Sequence, residues 1–249
     1  MTIDATFVYI LISTILISLI SFIGVFTLSL NDKLLKKILL ALVSFSAGAL
    51  MGGAFIHLLP ESVESSGSEM IIYVLFGFVL FFIIEKILFW RHCHDGKCDV
   101  HTFRYMNLIG DAIHNLIDGL VLAVSFVVSL ALGISTTIAI AFHEIPQEIG
   151  DFGVLVYGGY KRRRALALNF IVALTAIFGG IVGYFLSSHV EGIVVFLIPF
   201  AAGGFIYIAA TDLIPEIKKE ADIKKSIITL LVFVAGIMLM WLTKLLFGG

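Results

Sequence analysis

Charge is what these 249 residues have little of: Asp, Glu, Lys and Arg together make 14%, against 60% hydrophobic residues. Soluble domains carry roughly 25% charged and 45–50% apolar residues. A chain of this make-up cannot hide its apolar surface from water, which excludes a soluble globular protein and points to a polytopic membrane protein. Cysteine is nearly absent. The two present, Cys93 and Cys98, share one polar loop and make no disulfide framework. A net charge of −2 without an extended basic block offers nothing to nucleic acid. No positive stretch precedes the first apolar run, Phe7 to Leu30, so that run is read as a retained span and not as a secretory signal.

What is there is apolar sequence in lengths that cross a bilayer. Eight spans fit, over roughly 6–30, 37–59, 70–90, 104–128, 132–158, 165–187, 193–215 and 226–247, with loops too short for a soluble domain. The expectation is an all-α polytopic protein, residues 1–249 forming a single transmembrane domain. Fifteen of the 16 basic residues fall in the loops after spans 1, 3, 5 and 7, among them Lys161, Arg162, Arg163 and Arg164; only Lys244 does not. By the positive-inside rule those loops are cytoplasmic and both termini lie outside. The loop ESVESSGSE after span 2 is acidic, as an outside loop can be.

Spans 2 and 7 repeat each other. FSAGALMGGAFIHLLPE (45–61) and FAAGGFIYIAATDLIPE (200–216) share Phe-x-Ala-Gly, then a polar residue, two aliphatics and Pro-Glu at the same offsets. Five helix steps separate the copies, so they point opposite ways, as in the inverted repeats of many transporters. The expected architecture is 3+2+3: helices 1–3 and 6–8 related, with helices 4 and 5 as the central pair.

The central pair carries charge in mid-span, where each such residue costs roughly 2.5–3.5 kcal/mol on insertion scales and is kept for a polar pathway, an ion or a partner. In helix 4, His114 and Asp118 are four apart and share a face, with Asn115 beside them and Asp111 a turn earlier. In helix 5, His143 and Gln147 are four apart, as are Glu144 and Glu148, and Asp151 follows a turn on. Pro146 removes a backbone donor, frees a carbonyl and bends the helix there. Gly110, Gly119, Gly150 and Gly153 are expected to let the two helices approach closely. Imidazole, carboxylate and carboxamide together suit Zn²⁺, Fe²⁺, Mn²⁺ or Cd²⁺ better than Mg²⁺ or Cu⁺. A proton relay or a purely structural polar network is the alternative use of the same residues.

At HNLIDG (114–119), HEIPQEIGDF (143–152), HLLPES (57–62) and DLIPEI (212–217) the chain resembles the ZIP (Zrt/Irt-like) divalent metal transporter family, in the branch with a HEIPHE-type helix 5. The resemblance implies a metal site between helices 4 and 5, with an adjacent second site that can make it binuclear. Carried over by position, it implicates His114, Asp118, His143 and Gln147 in the main site. Asn115, Asp118, Glu144 and Gln147 would form the second, with Asp118 bridging. Two departures stand out: Gln147 replaces the second His of HEIPHE, and helix 6 has no carboxylate, Asn169 and Thr175 being its polar candidates. The amide is the weaker ligand, which shifts preference toward harder ions, and the second site is weakened or lost.

Around this centre, Asp111, Glu148 and Asp151 are candidate pathway residues. His57 with Glu61 and Asp212 with Glu216 occupy equivalent repeat positions, either lining the mouths of a pathway or sitting at helix ends as interfacial polar groups. His92, Cys93, His94, Cys98 and His101 cluster in the loop after span 3, where soft ligands on the cytoplasmic side would bind exiting metal transiently. His189 has no assigned role. The function expected is secondary transport of divalent transition metal, zinc first, into the cytoplasm across the cell membrane. Zn²⁺ is cargo here, with Cd²⁺, Fe²⁺ and Mn²⁺ as alternatives, the bilayer is the other partner, and a homodimer is left open. A metal exporter or metal-gated sensor on the same scaffold is the rival reading. An intramembrane zinc protease is the weaker one, because HEIPQ lacks the second His of HExxH.

Overall fold

The computed structural model describes residues 4–24, 32–90, 100–157, 159–190 and 192–247; the loop histidines and cysteines His92, Cys93, His94 and Cys98, and the side chain of His101, lie outside the described residues. Every regular element among the described residues is helical: α1 (Ala5–Ile20), α2 (Asp32–Gly52), α3 (Leu59–Ser66), α4 (Ile71–Trp90), α5 (Val100–Val128), α6 (Leu130–Tyr157), α7 (Arg162–Ala173), α8 (Thr175–His189), α9 (Ile193–Ile208), α10 (Ile214–Lys218) and α11 (Ile223–Phe247).

Among the described residues, seven helical stretches are long and apolar enough to cross a membrane: Ala5–Ile23, Lys37–Glu64, Ser68–Ile87, Asn107–Val128, Arg162–His189, Ile193–Lys218 and Ile223–Phe247. The sequence predicts eight. The one left over is α6, whose 28 residues would reach about 42 Å at 1.5 Å each. Its His143, Glu144, Gln147 and Glu148 are what lower its apolarity. The loop expected after span 2 is also shorter than its composition suggests, since α3 carries the helix on to Ser66.

Two prolines shape the repeat-like helices. Pro60 and Pro215 open α3 and α10, and each is preceded by a π-helical stretch, Gly53–Leu58 and Ala209–Leu213. In both, the chain closes an i→i+5 bond: Leu59 N–H to the Ala54 carbonyl, Ile214 N–H to the Ala209 carbonyl. A proline offers no N–H to the carbonyl four residues back, and the wider turn absorbs the mismatch. Pro60 thereby deprives Ile56, whose carbonyl instead accepts from Lys244 Nζ of α11 at 3.1 Å.

Helix packing is set by glycines that bring backbones into contact. α2 packs on α11, and α9 on α4. A Cβ at Gly48 would lie 1.9 Å from the Phe233 carbonyl oxygen, and one at Gly236 2.2 Å from that of Phe45. On the other side, a Cβ at Gly203 would meet the Val74 oxygen at 2.0 Å and one at Gly77 the Phe200 oxygen at 2.2 Å. The glycines of the central helices behave differently from the sequence expectation. Gly119 abuts the Ala176 carbonyl of α8, not α6, and a Cβ at Gly150 or Gly153 would meet nothing within 4 Å. The approach of α5 to α6 is therefore not made by Gly119, Gly150 or Gly153.

One apolar core joins the central helices, including Ile10, Leu50, Leu122, Ile140, Ile198 and Phe205. Outside it, α4 and α11 turn large apolar side chains outward, such as Ile72, Leu75, Leu231 and Leu246. That is the surface a bilayer solvates.

Candidate metal centre

The centre begins with a backbone defect. Pro146 has no N–H to offer the Phe142 carbonyl, so that carbonyl is left unpaired within α6. It accepts instead from Ser46 Oγ of α2, at 2.5 Å. The same hydroxyl also lies 2.7 Å from the Leu42 carbonyl of its own helix. The freed carbonyl therefore has a partner on a neighbouring helix, and the two residues that follow it, His143 and Glu144, are both buried.

From α5, His114 and Asp118 face them. Nε2 of His114 lies 3.0 Å from Nε2 of His143, 3.6 Å from Asp118 Oδ2 and 3.4 Å from Glu144 Oε1. Nε2 of His143 lies 3.1 Å from Asp118 Oδ2 and 3.3 Å from Glu144 Oε1. All four donor atoms fall within 4.8 Å of one another. Four N/O donors on a tetrahedron about 2.0–2.1 Å from a zinc ion are about 3.3–3.4 Å apart. The five printed separations bracket that value. The other ring nitrogen of His143 sits 3.3 Å from the Ala139 carbonyl, which turns Nε2 toward the group, and Phe205 walls the ring edge-on at 6.2 Å.

A polar seam continues along the α5–α6 interface. Gln147 Nε2 donates to Asp111 Oδ1 at 3.3 Å, and Asn115 Nδ2 donates to the same oxygen at 2.8 Å. A turn further on, Asn107 Nδ2 donates to Asp151 Oδ1 at 2.9 Å. On the α7 side, Asn169 Nδ2 donates to the backbone oxygen of Glu148 at 3.3 Å and to its carboxylate.

Of the six residues expected as ligands, the four His, Asp and Glu side chains, His114, Asp118, His143 and Glu144, come together. Asn115 and Gln147 are turned to Asp111. His57 is tied to α11, its Nε2 2.8 Å from the Met240 carbonyl and 3.1 Å from Thr243 Oγ1. Asp212 accepts from Thr211 Oγ1 at 3.0 Å, and Glu216 pairs with Lys219. Glu61 is half-buried beside Pro60. Sequence reading did not find Ser46, Asn107, or the hydrogen bond from Tyr207 to Glu85. Glu85 carried a signal, a lone carboxylate in FFIIEK; Ser46 carried none without the fold.

The residues from 4 to 102 and from 92 to 244 match the family model for the ZIP zinc transporter. The chain belongs to the ZIP zinc transporter family. Among its relatives, Zinc transporter ZIP13 of Pongo abelii is 36% identical over 222 residues, covering 82% of this chain and 66% of that protein. The Zinc transporter ZIP13 homolog of Drosophila melanogaster is 31% identical over 285 residues, 87% of this chain and 80% of the relative. Zinc transporter YKE4 of Saccharomyces cerevisiae is 32% identical over 208 residues, 71% and 60%. This ZIP-family chain thus spans about three fifths to four fifths of those relatives' lengths. The family is one of multi-pass membrane transporters and not of enzymes, which sets the protease reading of HEIPQ aside.

Proposed function

We propose that this ZIP-family chain is a carrier that moves divalent transition metal, zinc first, across the cell membrane into the cytoplasm, holding it between α5 and α6. The observation that carries this reading is the set of five donor separations, 3.0 to 3.6 Å, among His114, Asp118, His143 and Glu144. Two imidazoles and two carboxylates in a buried place bind zinc by charge and by geometry, and the lack of thiolate keeps affinity at a level from which an ion can leave.

Alternation of access follows from an architecture of eight spans, α6 being the eighth, arranged 3+2+3 within one domain. Three features support the inverted repeat. The π-helical closures at Ala54–Leu59 and Ala209–Ile214 fall at the same repeat offset. Phe45 and Phe200, equivalent in the repeat, each present a carbonyl to a glycine of the packing partner, Gly236 and Gly77. The pairing of α2 with α11 mirrors that of α9 with α4 when the halves are exchanged. Rocking of the repeat-derived helices about α5 and α6 would open the centre to one side and then the other. The basic loops place both termini outside.

Ligation requires neutral imidazole and ionised carboxylate, so protons compete with the metal and aid its release. Uptake falling as the medium is acidified from pH 8 to 5.5 is expected; a flat profile would remove the proton from the mechanism.

The test is uptake into proteoliposomes loaded with a chelating dye, comparing Zn²⁺, Cd²⁺, Fe²⁺ and Mn²⁺ for wild type, His114→Ala and Glu144→Ala. Saturable flux abolished by either substitution is expected. Folded wild-type protein that binds zinc and moves none would overturn the carrier reading in favour of a sensor.

A further inference from the structure

The basic run at the head of α7 is not answered by the protein itself. Lys161, Arg162, Arg163 and Arg164 are consecutive, and all four are exposed. The ion pairs that Lys or Arg makes among the described residues belong to Lys219 and Lys225, and none involves this run. Its place is costly as well. The first turn of α7 holds no acidic residue, so three arginines stand at the positive end of the helix dipole. Cations this close repel one another unless an anion neutralises them.

The run is held at a fixed height. The stretch able to cross the membrane begins at Arg162, which puts these side chains at the level of the lipid headgroups. Gly159, at φ 91°, turns the chain out of α6, and the Tyr160 N–H closes on the Leu155 carbonyl at 3.1 Å. Tyr160 packs with Phe152, Leu155 and Ala165 in a small buried cluster, and the Arg164 guanidinium lies 4.8 Å from the centre of its ring. An apolar line continues from the run into the span. Ala167, Ile171, Leu174 and Phe178 are all exposed and follow Arg163 and Arg164 at steps of three or four residues. The helical register carries through Leu174, whose N–H bonds the Phe170 carbonyl and whose own carbonyl accepts from Phe178. Guanidinium groups above such a line are complementary to an amphiphile, a phosphate that carries an acyl chain.

We propose that Arg163 and Arg164 bind the headgroup phosphate of an anionic phospholipid whose acyl chain follows the line from Ala167 to Phe178. Lys161 and Arg162 add charge beside them. The planar guanidinium fork matches phosphate oxygens, and a basic cluster next to a membrane span attracts anionic lipid. Burial of the acyl chain along the line adds apolar contact that a soluble anion cannot make. The site stands whichever ion the centre binds and whichever way that ion moves. Its consequence is mechanical. Tyr160 and Ala165 pack on Phe152 and Leu155, so a headgroup held at Arg164 steadies the end of α6, the helix that carries His143 and Glu144.

The test is native mass spectrometry of the full chain released from nanodiscs that mix phosphatidylglycerol with phosphatidylcholine. Phosphatidylglycerol retained in preference to phosphatidylcholine is expected. Arg163→Gln combined with Arg164→Gln should weaken that retention at least about tenfold. Lys218→Gln combined with Lys224→Gln removes the same charge from another exposed basic loop and should leave it unchanged. In pure phosphatidylcholine both double variants should melt as the wild type does, since none of the four side chains makes an ion pair among the described residues. Equal loss from the two double variants would reduce the effect to net charge and overturn the site. Indifference to the headgroup, or full displacement of the lipid by inorganic phosphate, would overturn it too.

Discussion

Ser46→Ala touches no metal donor, yet it removes the side chain that, among the described residues, answers the carbonyl freed by Pro146. The bond from Ser46 Oγ to the Phe142 oxygen is 2.5 Å long and part-buried, with Ser46 itself fully buried. Leaving a buried carbonyl unpaired costs about 1–3 kcal/mol. His143 and Glu144 are the next residues along, so part of that cost should appear as weaker zinc binding, roughly three- to tenfold at about 1.4 kcal/mol per decade. The decisive arm is the background. In Pro146→Ala, residue 146 regains an N–H that can bond the Phe142 oxygen, and Ser46 becomes redundant. A double-mutant cycle on zinc affinity and on thermal melting should then give a coupling of about 1 kcal/mol, well above the roughly 0.3–0.5 kcal/mol scatter of independent sites. Equal losses from Ser46→Ala in both backgrounds would refute the reasoning, since the hydroxyl would then be serving only its own helix at Leu42.

Other substitutions separate crowded glycines from idle ones. Gly48→Ala and Gly203→Ala drive a methyl group to 1.9 and 2.0 Å from backbone oxygens, so each should cost at least about 1–3 kcal/mol and lower the melting temperature. Gly150→Ala meets open space in mid-helix and should stabilise by up to about 1 kcal/mol; a loss there would mean that something packs where the added methyl group has room. Lys244→Met strips the Ile56 carbonyl of its donor, and faster hydrogen exchange across the π-helical stretch Gly53–Leu58 is the expected readout. Unchanged exchange would show that water replaces the ammonium there.

Much of the centre was legible because helical periodicity is a local rule. His114 and Asp118 at i and i+4 had to present a shared face whatever packed against it. Composition likewise carried the membrane assignment. What was not legible lies where a second helix decides. Nothing in the order of residues states that Gly119 meets α8, or that the amides of Asn115 and Gln147 spend their NH₂ groups on Asp111. An amide can donate or accept, and only the register of α5 against α6 selects which.

The amino-acid sequence by itself therefore determined an all-helical, membrane-embedded member of a metal transporter family, with a cluster of His, Asp and Glu on two central helices. These follow from apolar length and spacing, which need no partner to be read. Tertiary structure alone decided that His114, Asp118, His143 and Glu144 converge and that Ser46 answers the carbonyl freed by Pro146. Each of those depends on distances between chain segments some twenty to a hundred residues apart, and such distances exist only once the helices have packed.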